Sequence, residues 1–527
     1  MRTDSTRLPM APRGKSRPPA LPPLPCPLTY GADGRWTSAT ISAAHQCVRN
    51  NLERDVDWWR QNVKKCGSRA PDIDGTLCRL RMHSPRSVLT NMMLVRSSNG
   101  RLSASILLDP GDERGPLRHW PARTVAALQM LAAVQQRIDD GLLPPLPNLT
   151  AILNPHDQPQ QFAHTDWCGL APILSNSRVS GTNRDLLMPD FSFAPFGYLT
   201  NMIDANMSST SAVPRGWPIE RQAIYAAGRR LPYAKKRRAL FWRGGITHVQ
   251  RRVYSSAITN KTVTLPSEVS TDVFLCGAHC TVEAGVPPEG WCDNQQLLSL
   301  PGHSFAVGFK YTMLCSSVVV RGAHADVPCE TAKHACPRVF EQFWHAGLKA
   351  DEHFIASHSI DDLPDAVRTA DRHPAAAQIA ARSADYAYHL LDPDFITDYW
   401  HTLLKGYASL FDWALAERAS PADVCERPHR KAPLHPAERV CFRGPKGMCL
   451  LKLLGDRADR TFVPIPGSAE MARECNSTLG MQRLYRRFVR VIPLRFTGGG
   501  NVSDAASTAL KSFFDGSNEK APRPVPG

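Results

Sequence analysis

Three segments of this chain combine residue types that could do chemistry. The first is NPHDQPQ, residues 154–160, directly after the apolar run LTAILN (149–154), which reads as a short buried strand. Ligands of open α/β sheets bind beyond the carboxyl ends of strands. Asp157, in a loop pinned by Pro155 and Pro159, stands where a carboxylate can take the proton of a hydroxyl nucleophile. Aspartates also cap turns, so this segment alone leaves both roles open.

The second segment is FWRGGITHVQRR, residues 241–252. Gly244 and Gly245 read as a turn after a strand, where backbone can approach a phosphate closely. Arg243, Arg251 and Arg252 offer bidentate donors to a diphosphate, although such a cluster equally fits a solvated basic turn. Neither GxxxxGK[ST] nor GxGxxG is matched. The third segment, GHSFAVGFKYTMLCSSVVV (302–320), reads as a helix carrying Lys310 and leading into a Val strand. A helix opening near Ser304 and Phe305 favours an anion, and ordinary βαβ packing explains the pattern as well.

The elements that must position these residues follow from periodicity. A helix is predicted over 38–63, and a hairpin over 86–109 around Ser-Asn-Gly. A second helix is predicted over 122–140, where Val125, Leu128, Leu131 and Ile138 share a face and Gly141 stops it. Pro214, Gly216 and Pro218 mark a boundary between lobes. Two helices follow at HPAAAQIAARSADYAYHLL and DFITDYWHTLLKGYASLFDW, with Asp392 and Pro393 as N-cap and N1. Helices feeding buried strands imply an α/β fold. The division expected is a disordered Pro-rich segment (1–37), an N-terminal lobe (38–215), a C-terminal lobe (216–391), a closing helix (392–417) and a tail of unassigned structure (418–527).

The 527 residues exceed one ordinary core. No apolar run of about 18 or more residues is present, so no transmembrane segment is expected. The basic N-terminus lacks the apolar stretch of a signal peptide. Net charge is +15, but it concentrates at the ends. Residues 1–24 hold five basic side chains against one acidic, and residues 414–527 hold 19 against 11. The nearly neutral middle argues against a nucleic-acid-binding core. Fifteen cysteines and sequons at Asn148, Asn206, Asn260, Asn476 and Asn501 favour the lumen of the secretory pathway. Cys276, Cys280, Cys329 and Cys336, with His279 and His334, fit no standard zinc spacing. Disulfides or buried thiols are expected there, and no metal.

Taken in order, these segments resemble the family 90 glycosyltransferases, which include fungal capsule-associated proteins and Rumi-type protein O-glucosyltransferases. The resemblance runs over roughly residues 40–413. It is carried by NPHDQPQ, MPDFSFAP (188–195), FWRGGITHVQRR, FKYTMLCSSVVV and EQFWHAGLKADEHFIASHSIDDL (341–363). It implies a GT-B-like fold, two Rossmann-like lobes facing a central cleft, with flexible terminal tails. It also implies inverting, metal-independent transfer of a sugar, glucose or xylose, from a UDP-sugar to a hydroxyl of a protein or polysaccharide. No cofactor beyond the donor is implied. By the match, Asp157 is the base. Arg243, Gly244, Gly245, Thr247, Arg251, Ser304, Phe305 and Lys310 bind the donor. The family's Ser-x-Arg before Phe-Lys is Ala306 and Gly308 here, and its usual Pro after Phe-Arg-Gly is Val249. Two rivals remain: a relative that binds glycan or nucleotide without transfer, and a basic polyanion-binding protein.

Overall fold

In a computed structural model, the described residues are 26–31, 35–73, 75–77, 80, 91–108, 121–161, 168–179, 181–197, 215–245, 249–276, 286–322, 327–328, 335–336, 340–413, 415 and 462–491. They form a mixed α/β structure around two sheets.

The first sheet contains β1 (Met93–Ser98), β2 (Arg101–Leu108), β3 (Leu149–Asn154), β4 (Ile173–Ser175) and β5 (Leu186–Leu187), in the order β2-β1-β3-β4-β5. β1 pairs antiparallel with both β2 and β3, whereas β3, β4 and β5 run parallel. This sheet is mixed, not the purely parallel one a Rossmann-like lobe implies. The antiparallel β1–β2 pair is a local hairpin, closed by Asn99 and Gly100 at positive φ, 51° and 73°, whereas the antiparallel β1–β3 pair joins segments far apart in the chain.

The second sheet is parallel throughout. Its strands are β6 (Arg237–Gly245), β7 (Ser270–Cys276), β8 (Asn294–Ser299), β9 (Val318–Gly322) and β10 (Ile355–Ser357), ordered β10-β9-β8-β6-β7. Its inner strands β6, β8 and β9 are buried through most of their length, as their apolar runs require, while the edge strand β7 is partly exposed. Leu240, Trp242, Leu298, Val318 and Val320 form one core, while Phe241, Leu297 and Val319 join a larger core that also includes Leu153 of the first sheet.

Ten helices are used below: α1 (Ser38–Lys65), α2 (Pro121–Asp139), α3 (Trp217–Arg230), α4 (Val249–Thr259), α5 (Gly308–Leu314), α6 (Leu363–Arg372), α7 (Ala376–Asp385), α8 (Pro393–Ala408), α9 (Ser468–Cys475) and α10 (Thr478–Phe488). α1 opens on a capping box between Thr37 and Thr40. α8 packs back against α1 and α2. Asp392 caps it by accepting from the Asp394 N–H at 2.9 Å.

A part of each tail, residues 26–31 and 462–491, is folded onto the rest of the structure, where flexible ends were expected. Cys26 and Leu28 are buried, and Cys26 is disulfide-bonded to Cys47 of α1. Near the other end, Val463–Pro464 and Val489–Val491 both pair with β2, with α9 and α10 between them. Met471, Cys475, Met481, Leu484, Tyr485 and Phe488 are buried at helical spacing and hold this segment on the first sheet. Among the described residues no helix is long and apolar enough to cross a membrane.

Candidate functional site

The loop after β3 is fixed by side chains from the neighbouring strand ends. Asn154, the last residue of β3, donates to the Gln158 carbonyl at 2.8 Å and to Ser175 Oγ at 3.0 Å, and accepts from the His156 N–H at 3.1 Å. Asn176 donates to the Pro155 carbonyl, and Ser177 to the Asp157 carbonyl, each at 3.1 Å. The far end is clasped by buried Asp185. Its carboxylate accepts from the Gln160 and Gln161 N–H groups, each at 2.8 Å, and from Ser175 Oγ at 2.6 Å. Burial pushes the Asp185 carboxyl up to about 6, against the pull of those bonds.

Held this way, Asp157 is part-buried. Its Oδ1 accepts from Arg123 Nη1 at 2.7 Å. The guanidinium of Arg123, in the first turn of α2, also lies 4.3 Å over the Phe191 ring. Sequence reading missed Arg123, Asp185, Asn176 and Ser177. The only sequence signal was their polarity inside or beside apolar segments.

The loop also touches the second sheet. Gln158 Nε2 donates to the His303 carbonyl at 2.6 Å, just past the carboxyl end of β8. Arg251, in the first turn of α4, reaches back to the same edge. Its guanidinium donates to the carbonyls of Pro301 (3.0 Å), Gly245 (3.3 Å) and Leu300 (3.3 Å). Burial lowers its pKa to about 10, opposed by the negative charge of Asp157. Arg251 is therefore cationic at neutral pH and within electrostatic reach of Asp157. Three of its five N–H donors meet carbonyls.

The other sequence candidates are placed differently. Gly244 and Gly245 extend β6, pairing with Leu275 and Cys276, and the turn comes after them. A Cβ on Gly244 would lie 2.4 Å from the Trp242 ring, so Trp242 packing demands glycine there. Arg243 turns towards the edge strand β7. It donates to the Asp272 carbonyl at 2.8 Å and carboxylate at 2.6 Å, and lies 4.6 Å over the Phe241 ring. Thr247 lies outside the described residues, as do the side chains of Cys276, Cys280, Cys329, Cys336, His279 and His334.

Ser304 and Phe305 are buried in the loop after β8, and the helix expected to begin near them starts at Gly308. Position 308 faces open space. Lys310 touches this loop only through the Val307 carbonyl, to which it donates at 3.4 Å. It is 1% exposed, donates to Ser192 Oγ, and lies 4.6 Å over Phe193 and 4.5 Å over Tyr311. Ser192 donates in turn to Asp190, whose other oxygen accepts from Gln342 at 2.7 Å. Burial lowers the Lys310 pKa to about 8, opposed by Asp190 and Glu220. The segment 188–195 is thus a buried polar tie between the two sheets' elements, and Lys310 belongs to that tie.

Asp392 and Asp394, an Asp-x-Asp triplet, are held by Arg221 (2.9 Å) and Arg137 (2.7 Å), as befits a capped helix start. Disulfides join Cys26 to Cys47, Cys66 to Cys168 and Cys292 to Cys315.

The chain is 24% identical over 302 residues to the O-glucosyltransferase rumi of Drosophila pseudoobscura pseudoobscura, covering 54% of this chain and 67% of that one. It is 23% identical over 298 residues to the O-glucosyltransferase rumi of Drosophila melanogaster, covering 54% and 66%. The match thus spans about two thirds of each relative. The pattern described as glycosyl transferase family 90 matches residues 123–434, more than half of the chain. This chain belongs to glycosyl transferase family 90.

Proposed function

We propose that this chain transfers a sugar, glucose or xylose, from a UDP-sugar to a hydroxyl of a protein or polysaccharide acceptor, with inversion at the anomeric carbon. Asp157 accepts the hydroxyl proton as the oxygen attacks that carbon from the face opposite the leaving UDP. Arg251 stabilises the negative charge growing on the diphosphate, on the backbone of Gly244, Gly245 and the Ser304–Phe305 loop. Arg243 and Lys310 hold the scaffold. The two sheets form lobes of a GT-B-like fold, and their carboxyl edges face a shared cleft. With a cationic side chain in the role of an ion, the reaction needs no metal.

The observation that carries this reading is that the Asp157 loop, past the carboxyl end of β3, meets the carboxyl edge of the second sheet through the Gln158–His303 bond, where Arg251 sits on the carbonyls of Gly245 and Leu300. Both relatives bear the name O-glucosyltransferase, which favours glucose and an oxygen acceptor. The three disulfides favour an oxidising lumen. The test is a screen of purified protein for UDP release from UDP-glucose and UDP-xylose, with and without EDTA. Turnover that persists in EDTA supports the reading. UDP binding without release assigns the chain to the binding-only alternative, and reversible loss in EDTA refutes the metal-free mechanism.

A further inference from the structure

The clasp on the Asp157 loop is a carboxylate with no room for a proton. Asp185 is fully buried, just before the edge strand β5. Its Oδ1 accepts from the Gln160 N–H at 2.8 Å and from Ser175 Oγ at 2.6 Å, and its Oδ2 accepts from the Gln161 N–H at 2.8 Å. Its own N–H is a fourth donor. An ionised carboxylate offers about four lone-pair sites, so all of them are taken. Bonds to an ionised acceptor are also the strong ones.

A proton added to this group displaces a donor. Two of the four donors are backbone N–H groups of the loop itself, and the bonds that remain become neutral and weaken. Ser175 can take the proton only by turning its own O–H off the carboxylate, and its oxygen already accepts from Asn154 Nδ2 at 3.0 Å. Burial brings this event to about pH 6, because desolvation opposes the anion more than the four bonds favour it. None of those bonds comes from a charged group. Arg184, the residue before, lies 4.6 Å over the Trp58 ring, and Asp157 faces Arg123. Among the described residues no cation pairs with Asp185.

Release at this end reaches Asp157, because Gln160 and Gln161 follow it across Pro159. The near side keeps its bonds, from Asn154 to the Gln158 carbonyl and from Ser177 to the Asp157 carbonyl. The loop therefore slackens and does not unfold. A general base works at about 2.6–3.2 Å from its proton, and a displacement of about 1 Å can cost 10²-fold. We propose that Asp185 is a positioning residue: ionised, it holds the Asp157 loop in register, and on taking a proton it slackens the loop and slows transfer. The reaction served rests on the transferase reading above; the clasp and its release do not.

The test combines transfer kinetics, calorimetric UDP titration and hydrogen exchange of the loop amides, across about pH 5 to 8, on wild type, Asp185→Asn and Ser175→Ala. In wild type, kcat should fall on the order of tenfold as pH drops through about 6. UDP affinity should stay level, and the Gln160 and Gln161 amides should lose protection over the same range. Asp185→Asn cannot titrate and turns an N–H against the loop. It should transfer on the order of tenfold more slowly at neutral pH, with no limb near 6 and with these amides open throughout. Ser175→Ala removes a bond that favours the anion, so its limb and its exchange transition should both move to higher pH. Should Asp185→Asn fail to fold, that movement decides alone. If wild type transfers no sugar but its amides open near pH 6, the clasp stands and the transferase reading falls. Amide protection that stays level in wild type overturns the proposal, as does UDP affinity that falls along with kcat. So does an acid limb that persists in Asp185→Asn, which would belong to His156 or His303, or one that Ser175→Ala leaves in place.

Discussion

Replacing Asp157 by Asn separates the proposed base from its structural duties. The loop is pinned through its backbone, by Asn176, Ser177 and Asp185, and none of those bonds uses the Asp157 carboxylate. Asparagine keeps an oxygen where Oδ1 accepts from Arg123 at 2.7 Å. The change therefore turns an ion pair into a bond from a cation to a neutral oxygen, costing about 1 kcal/mol. That lowers the melting temperature by about 2 °C in a protein of this size. Catalysis responds on another scale. Losing a general base slows proton transfer by about 10²–10⁴-fold, or about 3–5 kcal/mol of barrier. The assay is single-turnover transfer from a UDP-sugar to a hydroxyl acceptor, with UDP affinity measured in parallel. The expected variant melts almost normally, binds UDP normally and transfers about a hundredth or less of the sugar. Wild-type transfer in Asp157→Asn would falsify the assignment of the base, and an equal fall in UDP affinity would move Asp157 to the donor side.

Other outcomes follow from the same geometry. Arg251→Ala should weaken UDP binding by about 1.5–3 kcal/mol and also lower the melting temperature, since three carbonyls lose their donor; unchanged UDP affinity by calorimetry refutes its donor role. Lys310 gives a pH signature. Its folded pKa of about 8 lies below the ordinary lysine value of 10.5, so the unfolded chain takes up this proton first as pH falls. Its contribution to stability is full above about 10.5 and is lost as pH falls through 8. Denaturant unfolding should show this rise between pH 8 and 10.5 in wild type, and Lys310→Met should remove it; parallel profiles would show that Lys310 is not desolvated. Removing the Cys66–Cys168 bridge, which closes a separation of 102 residues, should cost about 4–5 kcal/mol on the chain-entropy account. Equal unfolding midpoints for wild type and the double Cys→Ala variant would refute that bridge.

The fold was legible where one segment settles its own structure. The apolar spacing of Val125, Leu128 and Leu131 predicts α2, and Asn99-Gly100 predicts the hairpin. The mixed first sheet and the ordered segment 462–491 were not, because their partners lie far along the chain: Val489–Val491 pairs with β2. Its buried face was nevertheless written in Met471, Cys475, Met481, Leu484 and Phe488 at helical spacing. The same distinction runs through the site. The place of Asp157 in a loop just past a strand end was legible, because an apolar strand followed by a polar segment pinned by prolines settles its own structure. The direction of a long cation depends on what packs around it. Lys310 meets Ser192, 118 residues earlier, and Arg243 meets Asp272, 29 residues later. Arg123, paired with Asp157 from 34 residues before it, carries no local signal of its position.

The most direct test of the central claim is mass analysis of a hydroxyl-bearing acceptor incubated with purified protein and UDP-glucose or UDP-xylose in excess EDTA. The account predicts that the acceptor gains one sugar for each UDP released, and that Asp157→Asn gives neither product. An acceptor that stays unmodified with every donor, or one modified equally by the Asp157→Asn variant, contradicts it.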